Sequence, residues 1–162
     1  MESVIIAAGS NLGDRHGVLK KTGAFLESLS AGEVQKSSIW ESEPIGPSKY
    51  TFLNCAARIK TRLSPLELLV LLKSFEQKMG RKKNSKRWGP RILDLDIIAW
   101  GSLVIHEENL IIPHPEYSKR QFVLLPMNEI TQGWTDPITG KTLKDYLISA
   151  PDMLIEKTKL TW

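Results

Sequence analysis

Ile92-Leu93-Asp94-Leu95-Asp96-Ile97-Ile98 alternates apolar and acidic residues with a period of two, the pattern of a strand whose faces meet different surroundings. Leu93, Leu95 and Ile97 would enter a core. Asp94 and Asp96 would share the other face, their Cα atoms about 6.5–7 Å apart. Carboxylates held that close repel each other, which suits a cation between them, and oxygen donors without His or Cys favour Mg²⁺ over zinc. A half-buried strand with a solvated outer face would show the same alternation. The preceding Arg87-Trp88-Gly89-Pro90-Arg91 favours the cation, because Trp, Gly and Pro shape a loop in a way that solvation does not require. A basic loop beside an acidic pair implies a third, anionic body such as a polyphosphate.

The charge distribution agrees. Of 22 basic residues, seven lie between Gln77 and Leu93, where no acidic residue occurs, leaving 15 against 18 acidic residues elsewhere. The net charge of +4 is therefore one local device, better matched to a compact anion than to a long nucleic acid. The 162 residues, 41% of them apolar, fit one domain over 1–162 with a sizeable core. No apolar run approaches the ~20 residues of a membrane span, and the N-terminus does not read as a signal peptide. The single cysteine, Cys55, fits a reducing cytoplasm and reads as a small buried apolar residue.

Outward from the acidic strand, Val4 to Ala8 reads as a buried first strand and Arg15 to Leu29 as a helix with Leu19, Leu26 and Leu29 at helical spacing. Between them Gly9-Ser10-Asn11-Leu12-Gly13 lacks the P-loop ending and the dinucleotide glycine spacing, and is taken as structural. Glu33 to Trp40 and Phe52 to Thr61 read as the second and third strands, joined through the stiff loop Glu43-Pro44-Ile45-Gly46-Pro47. Phe52 and Asn54 share one face of the third strand and could hold a flat polar ring by stacking and hydrogen bonding. An ordinary strand end with a partly buried Phe is the alternative. Ser64-Pro65-Leu66-Glu67 is a capping box with Pro at the first helical position. Leu68, Leu72, Phe75 and Met79 form the helix stripe, with Lys73 and Glu76 on a different face and Gly80 as the stop. Leu103–Ile105 and Leu110–Ile112 suggest a small hairpin. Pro113-His114-Pro115 frames a loop six residues before Arg120, and a short apolar segment runs from there to Met127. A turn at Asp136 to Gly140 and a helix from Thr142 to Ile148 carry no chemical motif. The order strand–helix–strand–strand–helix–strand predicts an α+β fold, a ferredoxin-like plait with a mostly antiparallel sheet, helices packed on one side and long functional loops.

Four stretches in order resemble the 6-hydroxymethyl-7,8-dihydropterin pyrophosphokinase family of folate biosynthesis. They are Gly9 to Gly13, Glu43 to Pro47 with Phe52-Leu53-Asn54, Arg87 to Asp96, and Pro113-His114 with Arg120 and Phe122. The resemblance spans about residues 3 to 150. It implies transfer of pyrophosphate from ATP to the pterin hydroxymethyl group, with AMP leaving. By the same resemblance, Asp94 and Asp96 hold two Mg²⁺ ions on the triphosphate, and Arg81 and Arg91 act on phosphates beside them as catalytic residues. Glu76, Trp88, Arg91, Ile97, His114 and Arg120 match nucleotide-binding positions. Ser42, Pro44, Gly46, Phe52, Asn54, Trp88 and Phe122 match the pterin site, with Phe52 and Phe122 as the aromatic sandwich. Lys83, Asn84, Asn109 and Pro115 depart from familiar residues at individual nucleotide contacts.

Those implications cohere physically, since in-line attack on the β-phosphorus needs alignment and charge neutralisation, and arginines offer bidentate clamps that lysine imitates poorly. The basic loop should repel itself when empty and close over bound nucleotide. The partners expected are ATP and the pterin, with no nucleic acid and no membrane, for a cytoplasmic monomer. An RNA-binding plait is the rival class, set against the lack of paired aromatic sheet motifs and against two acidic residues that would repel a phosphate chain. An ATP-binding regulator without catalysis is a third alternative.

Overall fold

The structure, a computed structural model, describes residues 1–44, 49–80 and 92–162. Its elements run β1 (Glu2–Ser10), α1 (Arg15–Leu29), β2 (Gln35–Lys36), β3 (Trp40–Ser42), β4 (Phe52–Thr61), α2 (Pro65–Lys78), β5 (Asp94–Trp100), β6 (Ile105–His106), β7 (Ile111–Ile112), a 3₁₀ turn (Tyr117–Lys119), α3 (Gln121–Ile130), α4 (Leu143–Ser149) and β8 (Ile155–Lys157). The main sheet has the order β5-β1-β4-β3-β8, with β2 also on β4, and its pairings are antiparallel. β1 and β4 are central, as the plait requires.

Local chemistry accounts for the helices. Asp14 caps α1 by accepting the Gly17 N–H at 3.0 Å. In α2, Ser64 and Glu67 form the reciprocal capping box and Pro65 opens the first turn. Gly80, at φ +107, ends it in a backbone region that suits glycine. Leu19 and Leu26 of α1 and Leu68, Leu72 and Phe75 of α2 pack with Val4, Ile6, Ala8, Cys55, Ile59, Leu93, Leu95 and Ile97 into one core. Phe25 stacks on Phe75 with ring centroids 4.1 Å apart, joining the helices. Cys55 is buried here, which pushes its thiol pKa up.

Several features depart from the sequence expectations. Helices pack on both sheet faces, because Ile5, Ala56, Ile98 and Ala99 form a second core with α3, α4 and Tyr117. The apolar segment expected to reach Met127 is helix α3, which accommodates Pro126. The second strand is broken into β2 and β3, because at Ser37 the hydroxyl accepts the Ala56 N–H at 2.8 Å in place of a backbone carbonyl.

The acidic strand starts two residues later than expected and carries a register shift opposite Ile5 and Ile6, leaving Ile98 as the extra residue. A bulge of this kind reverses the alternation. Ile97 faces the first core, Ile98 and Ala99 the second, and Trp100 the first again. The Ile98 carbonyl, turned out of the ladder, accepts the His114 N–H at 2.9 Å.

Candidate active site

Among the described residues, one face of the sheet is covered by the second core over half its length and open over the rest. Cross-strand register defines the open half. Asp94 lies opposite Gly9, Gly9 opposite Asn54, and Asn54 opposite Trp40. Two residues along each strand, Asp96 faces Ala7 and Ala7 faces Ala56, where the second core begins. Paired residues project to the same side, so the carboxylates stand on one flank and Asn54 on the other. Two strand spacings separate them, roughly 10 Å. Between them the floor is only glycine and alanine. A Cβ on Gly9 would sit 3.5 Å from Asn54 Oδ1 and 3.7 Å from the Phe52 ring, which places both side chains over that floor.

Asn54 is buried, and its Nδ2 donates to Ser42 Oγ at 2.8 Å and to the Trp40 carbonyl at 3.2 Å. A carbonyl can only accept, which fixes the amide orientation and turns Oδ1 toward Gly9 as a free-facing acceptor. Ser42 Oγ accepts from Asn54 and keeps its own proton to donate. Ser42 is buried and Pro44 half-buried.

On the acidic flank, β5 is the edge strand. The Leu95 N–H, between the aspartates, donates to Glu76 Oε2 at 2.8 Å, and Lys73 Nζ lies 3.3 Å from Glu76 Oε1. Glu76 is only 1% exposed. It sits on the buried side of α2 and not on a separate face, because capping the edge strand compensates for its burial. Ile97 has its side chain in the first core, which leaves only its backbone for any contact on the other face.

His114 and Arg120 come together with the carboxylates through the bulge and the 3₁₀ turn. The Ile98 carbonyl holds the His114 backbone, and His114 Nδ1 accepts the Glu116 N–H at 3.1 Å. That bond makes Nδ1 the acceptor and leaves the proton on Nε2, free to donate. Burial holds the imidazole below the ordinary histidine range, while the Asp96 carboxylate pulls it up and the Arg120 guanidinium pushes it down. Arg120 stands at the N-terminal boundary of α3 without a side-chain cap, with its guanidinium carbon 5.7 Å from the Phe122 ring centroid, and Phe122 rests against the second core.

Gly46, Arg81, Trp88 and Arg91, with Lys83 and Asn84, lie outside the described residues. Asn109 and Pro115 are exposed. Among the described residues no three His, Cys, Asp or Glu side chains form a metal-holding group. Two carboxylates side by side, with small residues opposite them, nevertheless fit an oxygen-ligated Mg²⁺ whose other ligands come from substrate and water. The spacing also carried a missed signal: Glu76, four residues after Leu72, already falls on the apolar stripe of α2.

Comparison with known proteins gives the family. Residues 5–132 match the family described as 7,8-dihydro-6-hydroxymethylpterin-pyrophosphokinase (HPPK). The 2-amino-4-hydroxy-6-hydroxymethyldihydropteridine pyrophosphokinase of Bacillus subtilis is 46% identical over 129 residues, covering 78% of this chain and 77% of the relative. The Aquifex aeolicus protein of the same name is 38% identical, covering 90% and 91%. The fold matches that of wild-type Plasmodium falciparum HPPK-DHPS at a TM-score of 0.70 and 16% identity, over 92% of this chain and 43% of that longer one. With the family match spanning most of its length and relatives 38 and 46% identical, the chain belongs to the 7,8-dihydro-6-hydroxymethylpterin-pyrophosphokinase family.

Proposed function

We propose that the open half of the sheet is a two-substrate platform, with ATP on the Asp94–Asp96 flank and 6-hydroxymethyl-7,8-dihydropterin on the Asn54 flank. The chain is an enzyme, a pyrophosphokinase of folate biosynthesis, and ATP is its co-substrate. The observation that carries the site assignment is the row Asp94–Gly9–Asn54, which puts an acidic pair and an amide across a floor with no side chain to obstruct a ring.

In this arrangement Asn54 Oδ1 accepts from the pterin's N–H edge while Ser42 Oγ and the Pro44 backbone complete the polar rim. Phe52 supports the ring from the sheet side and Phe122, with Trp88, closes over it. The hydroxymethyl oxygen then points toward the aspartates and attacks the β-phosphorus of ATP in line with departing AMP. The His114 Nε2–H and the Arg120 guanidinium, joined by Arg81 and Arg91, bind the phosphate oxygens and offset the growing charge. Asp94 and Asp96 would hold Mg²⁺, which when bound neutralises the triphosphate and polarises the attacking oxygen. Glu76 serves the nucleotide indirectly by fixing β5, and Ile97 offers its backbone. We place the activity in one domain, residues 1–162, supported by a single sheet that takes strands from both Glu2 and Lys157. We infer that it works as a monomer in the cytoplasm.

The test is to combine the protein with ATP, Mg²⁺ and the reduced pterin and to identify the nucleotide product. AMP formed in step with pterin consumption supports the proposal, whereas ADP or no turnover contradicts it.

A further inference from the structure

We infer that the C-terminal strand β8 is a positioning element for the pterin edge, an inference that rests on the function proposed above. β3 has three residues, and a strand so short with one partner is marginal. It is internal here because β8 pairs with it along its whole length, Trp40 opposite Lys157, Glu41 opposite Glu156 and Ser42 opposite Ile155. The pairing continues into the pterin rim. The Glu43 N–H donates to the Leu154 carbonyl at 2.9 Å, and the Leu154 N–H returns to Glu43 Oε1 at 3.1 Å.

Ser42, whose hydroxyl receives the Asn54 amide, is thus held between β4 and β8. Further along, the Thr158 N–H and hydroxyl both donate to the Ile39 carbonyl, at 2.9 and 2.7 Å. The Trp162 indole N–H donates to the Ser37 carbonyl at 2.9 Å. Trp162 also seats on α1 at Gly23, where a Cβ would come within 3.2 Å of its carbonyl carbon.

Glu41 performs the matching task on the far limb of the same loop. Its Oε2 accepts the Thr51 hydroxyl at 2.7 Å, and Arg15 Nη1 donates to Glu41 Oε2 at 3.2 Å and to the Thr51 carbonyl at 3.1 Å. Two carboxylates flanking Ser42 therefore fasten the pterin rim, one to α1 and one to β8. The family match ends at residue 132, so β8 lies beyond it.

The experiment compares the intact chain with Glu43→Ala, Glu43→Gln and a chain ending at Met153, measuring dissociation constants for reduced pterin and for ATP separately. Loss of a hydrogen bond to a charged group should weaken pterin binding by about tenfold in Glu43→Ala, with ATP affinity unchanged. Glu43→Gln keeps an acceptor for the Leu154 N–H and should stay within about threefold of the intact chain. The shortened chain should lose at least as much pterin affinity as Glu43→Ala, and if it does not fold the Glu43 pair decides. Equal pterin affinity in intact protein and Glu43→Ala overturns the inference, as does a parallel loss for both ligands, which would mark β8 as general scaffold. An intact chain that binds no pterin overturns the proposed function itself, and this inference with it.

Discussion

The two faces of the same three strands, β5, β1 and β4, are built to opposite rules. Toward α1 and α2, every second residue from Val4 to Ala8, Leu53 to Ile59 and Leu93 to Ile97 is apolar and buried. Toward α3 and α4, apolar burial stops partway. Ile5, Ala56, Ile98 and Ala99 are covered and Ala7 packs against them, and beyond them lie Gly9, Asp94, Asp96, Phe52 and Asn54. The boundary falls at the Ile98 bulge, which turns one more apolar residue under α3 and presents a carbonyl that holds His114. The covered face supplies rigidity, and the uncovered half-face can bear charge and a bare glycine because its neighbour already fixes the strands.

If that division is right, substitutions on the two faces should separate activity from stability. The largest effect belongs to Asp96→Ala, where turnover should fall by roughly 10³-fold or more, as for loss of a principal charge-stabilising group, with the thermal midpoint little changed. Rate assays and thermal melts on the same sample check both halves. Leu72→Ala on the covered face should do the reverse. A fully buried leucine in the first core costs about 2–5 kcal/mol when truncated, visible in denaturant unfolding, while kcat of the folded fraction stays near normal.

Gly9→Val sharpens the contrast. A Cβ at Gly9 meets only ordinary contacts, so folding should survive, but the added methyl groups fill the floor beside Phe52 and Asn54. Pterin affinity should drop at least about tenfold, as expected for a blocked near-attack geometry, with ATP binding retained. Titration calorimetry with each ligand reads this directly.

The smallest effect is on pH. The His114 pKa is lowered by burial in the folded chain, so the unfolded chain takes up the proton first as pH falls. Its contribution is intact above the unfolded value, about 6.5, and is lost progressively below that until the folded value is passed. Thermal midpoints between pH 7 and 5 should therefore fall more steeply in the intact protein than in His114→Gln.

Much of this was legible in the sequence because it rests on local chemistry. The capping box at Ser64, the alternation through Phe52 to Thr61 and the acidic pair each announce themselves within a few residues. What was hidden depends on distant partners. The run Ile97-Ile98-Ala99-Trp100 is uniformly apolar, and only the neighbouring strand reveals where the extra residue falls. Ile155-Glu156-Lys157 is too short and polar to read as a strand until β3 offers it an edge. The role of Glu76 becomes visible only when the Leu95 N–H is seen to need an acceptor. Asn54 and Ser42, proposed above to meet the pterin, were reachable residue by residue through family resemblance, but the hydrogen bond between them across two strands was not.

The most direct measurement is a crystal structure with the reduced pterin, Mg²⁺ and a non-transferable ATP analogue. The pterin edge should lie within hydrogen-bond distance of Asn54 Oδ1, and the phosphates beside Asp94, Asp96 and the His114 Nε2. A pterin bound away from the Gly9 floor, or phosphates remote from both aspartates, would contradict it.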